Sequence, residues 1–168
     1  NKQARKVELS NAKLKLVLNY DNKASISSLW VNGQQVIDNV EGGYSRFKTR
    51  SATYSSLHLQ SMPAVNISGN KLKISTIIFG GDALTITEIW IFSVTNKDIQ
   101  WDIQRNLSRA VAAEEVSAPA FLFNSINTWE GAYQDYGGLA WFYLFNKKLD
   151  TYGVHSNASR FWNSKTGN

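Results

Sequence analysis

Residues 83–109 read ALTITEIWIFSVTNKDIQWDIQRNLSR, and this stretch decides the fold class. On each side of the polar turn Asn96-Lys97-Asp98, apolar and polar residues alternate, which is the period of a β-strand with two different faces. One face of the first strand holds Ile86, Glu88, Trp90 and Phe92, and one face of the second holds Ile99, Trp101, Ile103 and Arg105. The pattern predicts two long antiparallel strands at the centre of a β-sheet domain.

Shorter segments before this hairpin show the same alternation. In residues 12–20, AKLKLVLNY, the predicted inward face holds Leu14, Leu16, Leu18 and Tyr20. Asn32-Gly33 and Gly69-Asn70 each separate two strand-like runs, and such pairs are typical of tight hairpin turns because Asn and Gly accept positive φ. About ten to twelve strands at this spacing predict an all-β fold, either a two-sheet sandwich or a closed barrel.

Residues 108–116, SRAVAAEEV, form the one segment with helical signals. Its alanines are good helix formers, and Ser108 is a candidate N-cap. We therefore expect at most one short helix, at this position. The adjacent acids Glu114 and Glu115 are interpreted as surface charges, because neighbouring residues on a helix point about 100° apart.

The composition describes a globular chain. It has 168 residues, of which 43% are hydrophobic and 18% charged, and it contains no Cys. These values predict a single domain spanning residues 1–168 that needs no disulfide or metal to fold. No apolar run of about 18 residues occurs, so no membrane span is expected. Because the first residue is not Met, we expect the chain to have been either processed after secretion or cut from a larger protein, and we favour a fragment of a larger protein.

The formal net charge is +5, which raises the question of nucleic-acid binding. Much of the excess lies in the first fifteen residues, at Lys2, Arg5, Lys6, Lys13 and Lys15. No recognised nucleic-acid-binding motif and no arginine cluster interleaved with aromatics accompanies these charges. We therefore expect a solvated strand face and no nucleic-acid partner.

Residues 127–145, NTWEGAYQDYGGLAWFYLF, combine aromatic rings with two carboxylates. Residues 127–138 are predicted to form a loop, whereas LAWFYLF has seven apolar residues in succession and predicts a central strand buried on both faces. Aromatic rings beside carboxylates and amides on a loop are typical of sugar-binding sites. The candidate ligand-binding residues are Trp129, Glu130, Tyr133, Gln134, Asp135 and Tyr136. The competing interpretation is that these rings close the end of the sandwich.

The sequence supports a catalytic function less strongly than it supports sugar binding. Glu130 and Asp135 would serve as a glycosidase pair if their carboxylates lay about 5 to 9.5 Å apart, but surface acids explain them as well. His58, His155 and Glu130 would suit an acid–base enzyme if the fold brought them together, and otherwise both histidines belong to the surface. The sequence has no metal-ligand spacing, phosphate loop or nucleophile elbow. No metal, cofactor or catalytic residue is therefore expected.

One resemblance covers most of the chain. Residues 87–123 contain a long strand, a turn, a partner strand with Trp101, and a return with Pro119, Phe121 and Phe123. This order resembles the β-supersandwich domains of the galactose-mutarotase-like fold, which precede the α/α-toroid catalytic domains of many glycoside hydrolases and phosphorylases. Residues 9–38, with their Asn-Gly turn, are similar to the first strands of those domains. The resemblance favours the antiparallel two-sheet sandwich over the barrel.

The resemblance also implies a function. It predicts a non-catalytic accessory domain of a secreted or periplasmic carbohydrate-active enzyme, most simply a glycoside hydrolase. Its partners would be the catalytic domain of the same polypeptide and an oligo- or polysaccharide. Two alternatives stay open: a free-standing carbohydrate-binding module that uses the aromatic loop, and a small mutarotase or epimerase. True mutarotases are larger and use paired His with a Glu, which the two isolated histidines here do not match.

Overall fold

The computed structural model describes the backbone of residues 5–122, 130–137, 139–146 and 151–156, and the side chains of residues 5–38 and 41–122. The chain divides into two compact units, Asn1–Asn124 and Ser125–Asn168, and each is described by itself. The expectation that residues 1–168 form one domain stays a prediction. Across the described residues, no helix is long and apolar enough to cross a membrane.

Ten strands form the described part of the first unit. In chain order they are β1 (Lys6–Ser10), β2 (Leu14–Asn19), β3 (Ser25–Val31), β4 (Gln34–Lys48), β5 (Thr53–Ser55), β6 (Ala64–Ser68), β7 (Lys71–Gly81), β8 (Leu84–Val94), β9 (Ile99–Leu107) and β10 (Glu115–Phe121). The first sheet has the order β1-β2-β3-β4-β10, with β5 also paired to β4. The second sheet has the order β6-β7-β8-β9. Every pairing is antiparallel, and the prediction of an all-β two-sheet sandwich is confirmed.

The hydrophobic core lies between the two sheets. Both sheets contribute to it, through residues such as Leu16, Leu18, Ile26 and Phe47 of the first sheet and Leu72, Ile74, Phe79, Ile86, Trp90 and Phe92 of the second. The alternation in the β8 sequence predicts this arrangement, because every second residue from Leu84 to Phe92 is buried. The predicted hairpin of residues 83–109 is confirmed as β8 and β9, with Trp90 opposite Ile103.

The predicted tight turn at Asn32-Gly33 joins β3 to β4. Both residues have positive φ, 51° and 79°, as a type I′ turn requires. Asn32 tolerates this conformation better than most residues, and Gly33 adopts it without steric cost. The turn therefore fixes which residues of β3 and β4 face each other, beginning with Val31 opposite Gln34.

The helix predicted at residues 108–116 is wrong. Residues 108–114 are irregular, and β10 begins at Glu115. The backbone N–H of Ser108 donates to Thr85 O, and its hydroxyl accepts from the Thr85 N–H, so the expected N-cap binds a neighbouring strand instead. At the other end, Glu114 N–H donates to Lys48 O. A helix of about two turns is marginal in water, and these contacts with strands outweigh its alanine content.

The second unit contains three described strands, β11 (Glu130–Gly137), β12 (Leu139–Asn146) and β13 (Thr151–Ser156). They form an antiparallel sheet in the order β11-β12-β13. The prediction that LAWFYLF is a central strand is confirmed at the level of the backbone, since β12 pairs on both sides. The loop predicted for residues 127–138 is wrong over residues 130–137, where pairing with an apolar strand outweighs the turn signals of the glycines.

Candidate functional site

The six candidate sugar-binding residues fall in the second unit. Trp129 lies outside the described residues, and the other five lie on β11, where Tyr133 pairs with Tyr143 and Asp135 with Trp141. The side chains of β11 are outside the described part, so their role stays a prediction. The interpretation of Glu130 and Asp135 as a catalytic pair or as surface acids stays open in the same way.

His58 and His155 belong to different units. His58 lies in the turn that follows β5, where its backbone N–H donates to Ser55 O. It is exposed, as expected for a surface histidine. His155 lies on β13, where its side chain is outside the described part. The acid–base enzyme hypothesis therefore gains no support from His58.

Glu114 and Glu115 pair with cations at the end of β4. Lys48 Nζ lies 3.2 Å from Glu114, and Arg46 Nη2 lies 2.5 Å from Glu115. Glu115 also accepts a hydrogen bond from the Ser117 hydroxyl. That bond, followed by those from Arg46, lowers the pKa of the Glu115 carboxyl, and the same ion pair raises the pKa of Arg46. The acids expected on a helix surface instead hold β10 against β4.

A buried ionic network joins the two sheets. Glu88 of β8 is fully buried and accepts hydrogen bonds from Arg105 Nε at 2.5 Å, Ser45 Oγ at 2.7 Å and Trp90 Nε1 at 2.8 Å. Arg105 Nη2 donates to Ser45 Oγ at 2.5 Å, and its guanidinium lies 5.6 Å from the centre of the Phe47 ring. The sequence places Glu88 and Arg105 on core-facing positions, but it does not reveal that they meet.

The polar side chains of this network are hydrogen-bonded to one another. The Ser45 N–H donates to Ser56 Oγ at 3.0 Å, and the Ser56 hydroxyl donates in turn to Ala24 O. A buried carboxylate is stable only when it is paired and hydrogen-bonded in this way. We therefore interpret the network as a structural tie between the sheets rather than as a reactive site.

An apolar cavity of about 300 Å³ opens between the sheets at the end where β8 turns into β9. Its lining is aliphatic and aromatic throughout: Leu14, Leu16, Ile26, Leu29, Phe92, Ile99, Trp101, Pro119 and Phe121. Trp101 stacks on Phe92 with ring centres 5.2 Å apart and meets Phe121 edge-on at 6.2 Å. Trp101 Nε1 is buried without a hydrogen-bond partner among the described residues. The cavity therefore offers an apolar surface.

The edge strand β10 extends this apolar surface. Val116 pairs with Phe47, a core residue, so the two side chains share the inner face of the first sheet. Val116 is nevertheless 57% exposed, Phe121 is 42% exposed and Leu122, next in the chain, is 48% exposed. We call Val116, Phe121 and Leu122, together with the cavity, the apolar end. The signal in the sequence is SAPAFLF, whose apolar residues continue past the last strand position.

No group of three or more His, Cys, Asp or Glu residues in the described part of the chain is arranged to hold a metal ion. The lining of the apolar end is suited to packing against another apolar surface. Comparisons of the chain with known protein families, with curated proteins and with solved structures found no match.

Proposed function

We propose that this chain is a non-catalytic accessory β-sandwich domain of a carbohydrate-active enzyme, and that it packs against the catalytic domain of the same polypeptide. The observation that carries the proposal is the apolar end. Core-facing residues of an edge strand are normally covered, and clustered exposed apolar side chains mark interaction surfaces. Phe121 lines the open apolar cavity, and the exposed Val116 and Leu122 lie in the same seven-residue segment of the chain.

The form of the edge favours side-chain packing over the addition of a further strand. The pairing of β10 with β4 shifts register between Ser117 and Ala120, and Pro119 has no N–H to donate. Both features interrupt the hydrogen-bonding edge that a new strand would need. A partner would instead lay apolar side chains against the cavity lined by Trp101 and Phe121.

The carbohydrate part of the proposal rests on the resemblance to galactose-mutarotase-like supersandwich domains. The elements that carry the resemblance are β8, the turn after it, Trp101 and the segment around Pro119. In the first unit these elements converge on the apolar end, where Phe92, Trp101, Pro119 and Phe121 line one cavity. A docking role would account for the combination of the β8–β9 hairpin, Trp101 and the segment of Pro119 and Phe121 at one surface. The enzyme class is expected to be a glycoside hydrolase, secreted or periplasmic.

The proposal is tested by Phe121→Asp in the full-length protein that contains this sequence. A charge in the apolar end should weaken domain packing, because it would be buried without a partner. We expect the thermal unfolding of the parent protein, followed by calorimetry, to separate into independent transitions. The isolated chain carrying Phe121→Asp is measured beside it, so that a loss of docking is distinguished from a loss of fold.

The matched control is Ile67→Asp. Ile67 is 62% exposed and lies on β6, at an edge of the second sheet. The substitution again replaces an exposed apolar side chain by a carboxylate, but at a position that does not line the cavity. If both variants leave the unfolding of the parent protein unchanged, the apolar end is not a docking surface. If the isolated chain binds glycans tightly and no catalytic domain accompanies it, the free-standing binding module is the better account.

A further inference from the structure

A second pocket, of about 350 Å³, lies at the end of the sandwich where β7 turns into β8. Three connections meet there: the β4–β5 turn, the β7–β8 turn that leads into Leu84, and the irregular segment after β9. The lining residues are Thr49, Arg50, Ser51, Tyr54, Ala83, Leu84, Arg109, Ala110, Val111 and Ala112. β8 runs from this pocket to the apolar end. Its eleven residues span about 35 Å, which is the distance between the two sites along the strand. We call it the basic pocket.

The backbone of the basic pocket is held by hydrogen bonds on each side. Thr49 N–H and Thr49 Oγ1 both donate to Ala52 O, and Ala52 N–H donates back to Thr49 Oγ1, which fixes the β4–β5 turn. The irregular segment is anchored by Ser108 on Thr85 and by Glu114 on Lys48. Val111 packs against the core between these anchors. The pocket is therefore built on fixed backbone.

Its charge is unbalanced. Arg50 and Arg109 are exposed and line one pocket, and no acidic side chain lines it with them. Within the described part of the chain, neither guanidinium belongs to an ion pair, whereas Arg46 and Arg105 are each paired with a glutamate. Glu114, in the same segment as Arg109, forms an ion pair with Lys48 at 3.2 Å.

We propose that the basic pocket binds an oxyanion, held between Arg50 and Arg109. A guanidinium presents a planar fork of N–H donors that matches the oxygens of a carboxylate, sulfate or phosphate. The hydroxyls of Ser51 and Tyr54 add neutral polar groups to the same lining. A concave site with convergent polar groups and an aromatic ring is typical of small-ligand binding.

The source of the oxyanion follows from the proposed function, on which this step rests. In a carbohydrate-active enzyme the anion would be the carboxylate of a uronic acid or the sulfate ester of a glycan. Tyr54 is half-buried and adds an aromatic ring to the lining, and such rings suit the apolar C–H face of a sugar. The basic pocket would then recognise acidic rather than neutral glycans.

Isothermal titration of the 1–168 chain at low salt tests the proposal. The probes are inorganic sulfate, an oligogalacturonate, a sulfated chondroitin oligosaccharide and a neutral cello-oligosaccharide. We expect the anionic probes to bind and the neutral one not to. Arg50→Gln and Arg109→Gln should each weaken anion binding about tenfold, since each removes charge-assisted hydrogen bonds. Because exposed charges are screened, affinity should also fall as salt is added.

Lys97→Gln is the matched control, because it removes one positive charge from the turn between β8 and β9, at the opposite end of the sandwich. If it weakens anion binding as much as the arginine variants do, binding follows net charge and the proposal is overturned. It is also overturned if no anionic probe binds. Binding of inorganic sulfate that depends on both arginines, without binding of either acidic glycan, upholds the oxyanion site and counts against the carbohydrate function.

Discussion

At the scale of single residues, Glu88 is the buried side chain that joins three other side chains, Ser45, Trp90 and Arg105, by hydrogen bonds. It is fully buried and accepts from three different residues, one of them Arg105, whose side chain is only 13% exposed. Glu88→Gln would leave that guanidinium in the core without a counter-charge. We expect a loss of about 3 kcal/mol in the free energy of unfolding, measured by urea denaturation.

The control for this variant is Glu8→Gln. Glu8 also forms an ion pair, with Lys15 at 3.0 Å, but both side chains are about half exposed. Exposed pairs contribute at most about 1 kcal/mol, so this variant should be nearly neutral. Equal effects for Glu8→Gln and Glu88→Gln would show that the buried network is not a determinant of stability.

Glu115 gives a residue-scale prediction of pH dependence. Its folded-state pKa is lowered by Ser117 and Arg46, so its contribution to stability is present above the ordinary carboxyl pKa, about 4.3. That contribution is lost as the pH falls through the lowered pKa. Glu115→Gln should therefore reduce stability at pH 7, by less than about 1 kcal/mol because the pair is over a third exposed. Denaturation from pH 2 to 7 should show the difference from the unmodified chain vanish at the acid end, and a constant difference would contradict this.

At the scale of secondary-structure elements, the Asn32-Gly33 turn sets the register of β3 and β4. A Cβ at Gly33 would meet no atom within 4 Å, so Gly33→Ala tests backbone conformation alone. At φ of +79°, alanine should cost about 1 to 2 kcal/mol in the free energy of unfolding. Gly81 also has open space at its Cβ position but no positive φ, and Gly81→Ala should be neutral or slightly stabilising. Similar values for the two variants would contradict the turn assignment.

The local sequence pattern was sufficient to predict those elements whose locally preferred conformation is kept in the folded sandwich. The hairpin of β8 and β9, the turn at Asn32 and Gly33, and the inward face of β2 all follow from alternation or from turn chemistry that the folded sandwich preserves. The prediction failed at residues 108–116, where contacts with the distant residues Thr85 and Lys48 decide the conformation, and at residues 130–137, which pair with the adjacent strand β12 as a hairpin. Alanine content and glycine spacing indicate local preference, and at these two places strand pairing outweighs it.

At the scale of the whole molecule, the candidate surfaces were harder to predict than the fold. Sequence reasoning directed attention to the aromatic residues 129–136, whereas the described side chains identify the apolar end around Phe121 and the basic pocket of Arg50 and Arg109. Val116 is 57% exposed although it pairs with the buried Phe47, and the sequence of β10 does not indicate this exposure. Arg50 and Arg109 are 59 positions apart, and they come together only because three connections meet at one end of the sandwich.

Two ends with different chemistry suit an accessory domain. The apolar end has the composition of a packing surface, and the basic pocket has the composition of a ligand site. If the proposed function holds, the apolar end is covered by the catalytic domain, while the basic pocket, at the other end of β8, stays accessible to an acidic glycan. Docking and ligand binding would then be separable by mutation, with Phe121→Asp affecting the first and Arg109→Gln the second.

The most direct test of the docking role is backbone hydrogen exchange, followed by mass spectrometry, in the 1–168 chain alone and in the full-length protein. If the apolar end packs against a catalytic domain, amides of β10, Glu115–Phe121, should exchange at least about tenfold more slowly in the full-length protein, while those of β6, Ala64–Ser68, should not change. Equal exchange rates for β10 in the two proteins would contradict the proposal that this chain is an accessory domain docked through its apolar end.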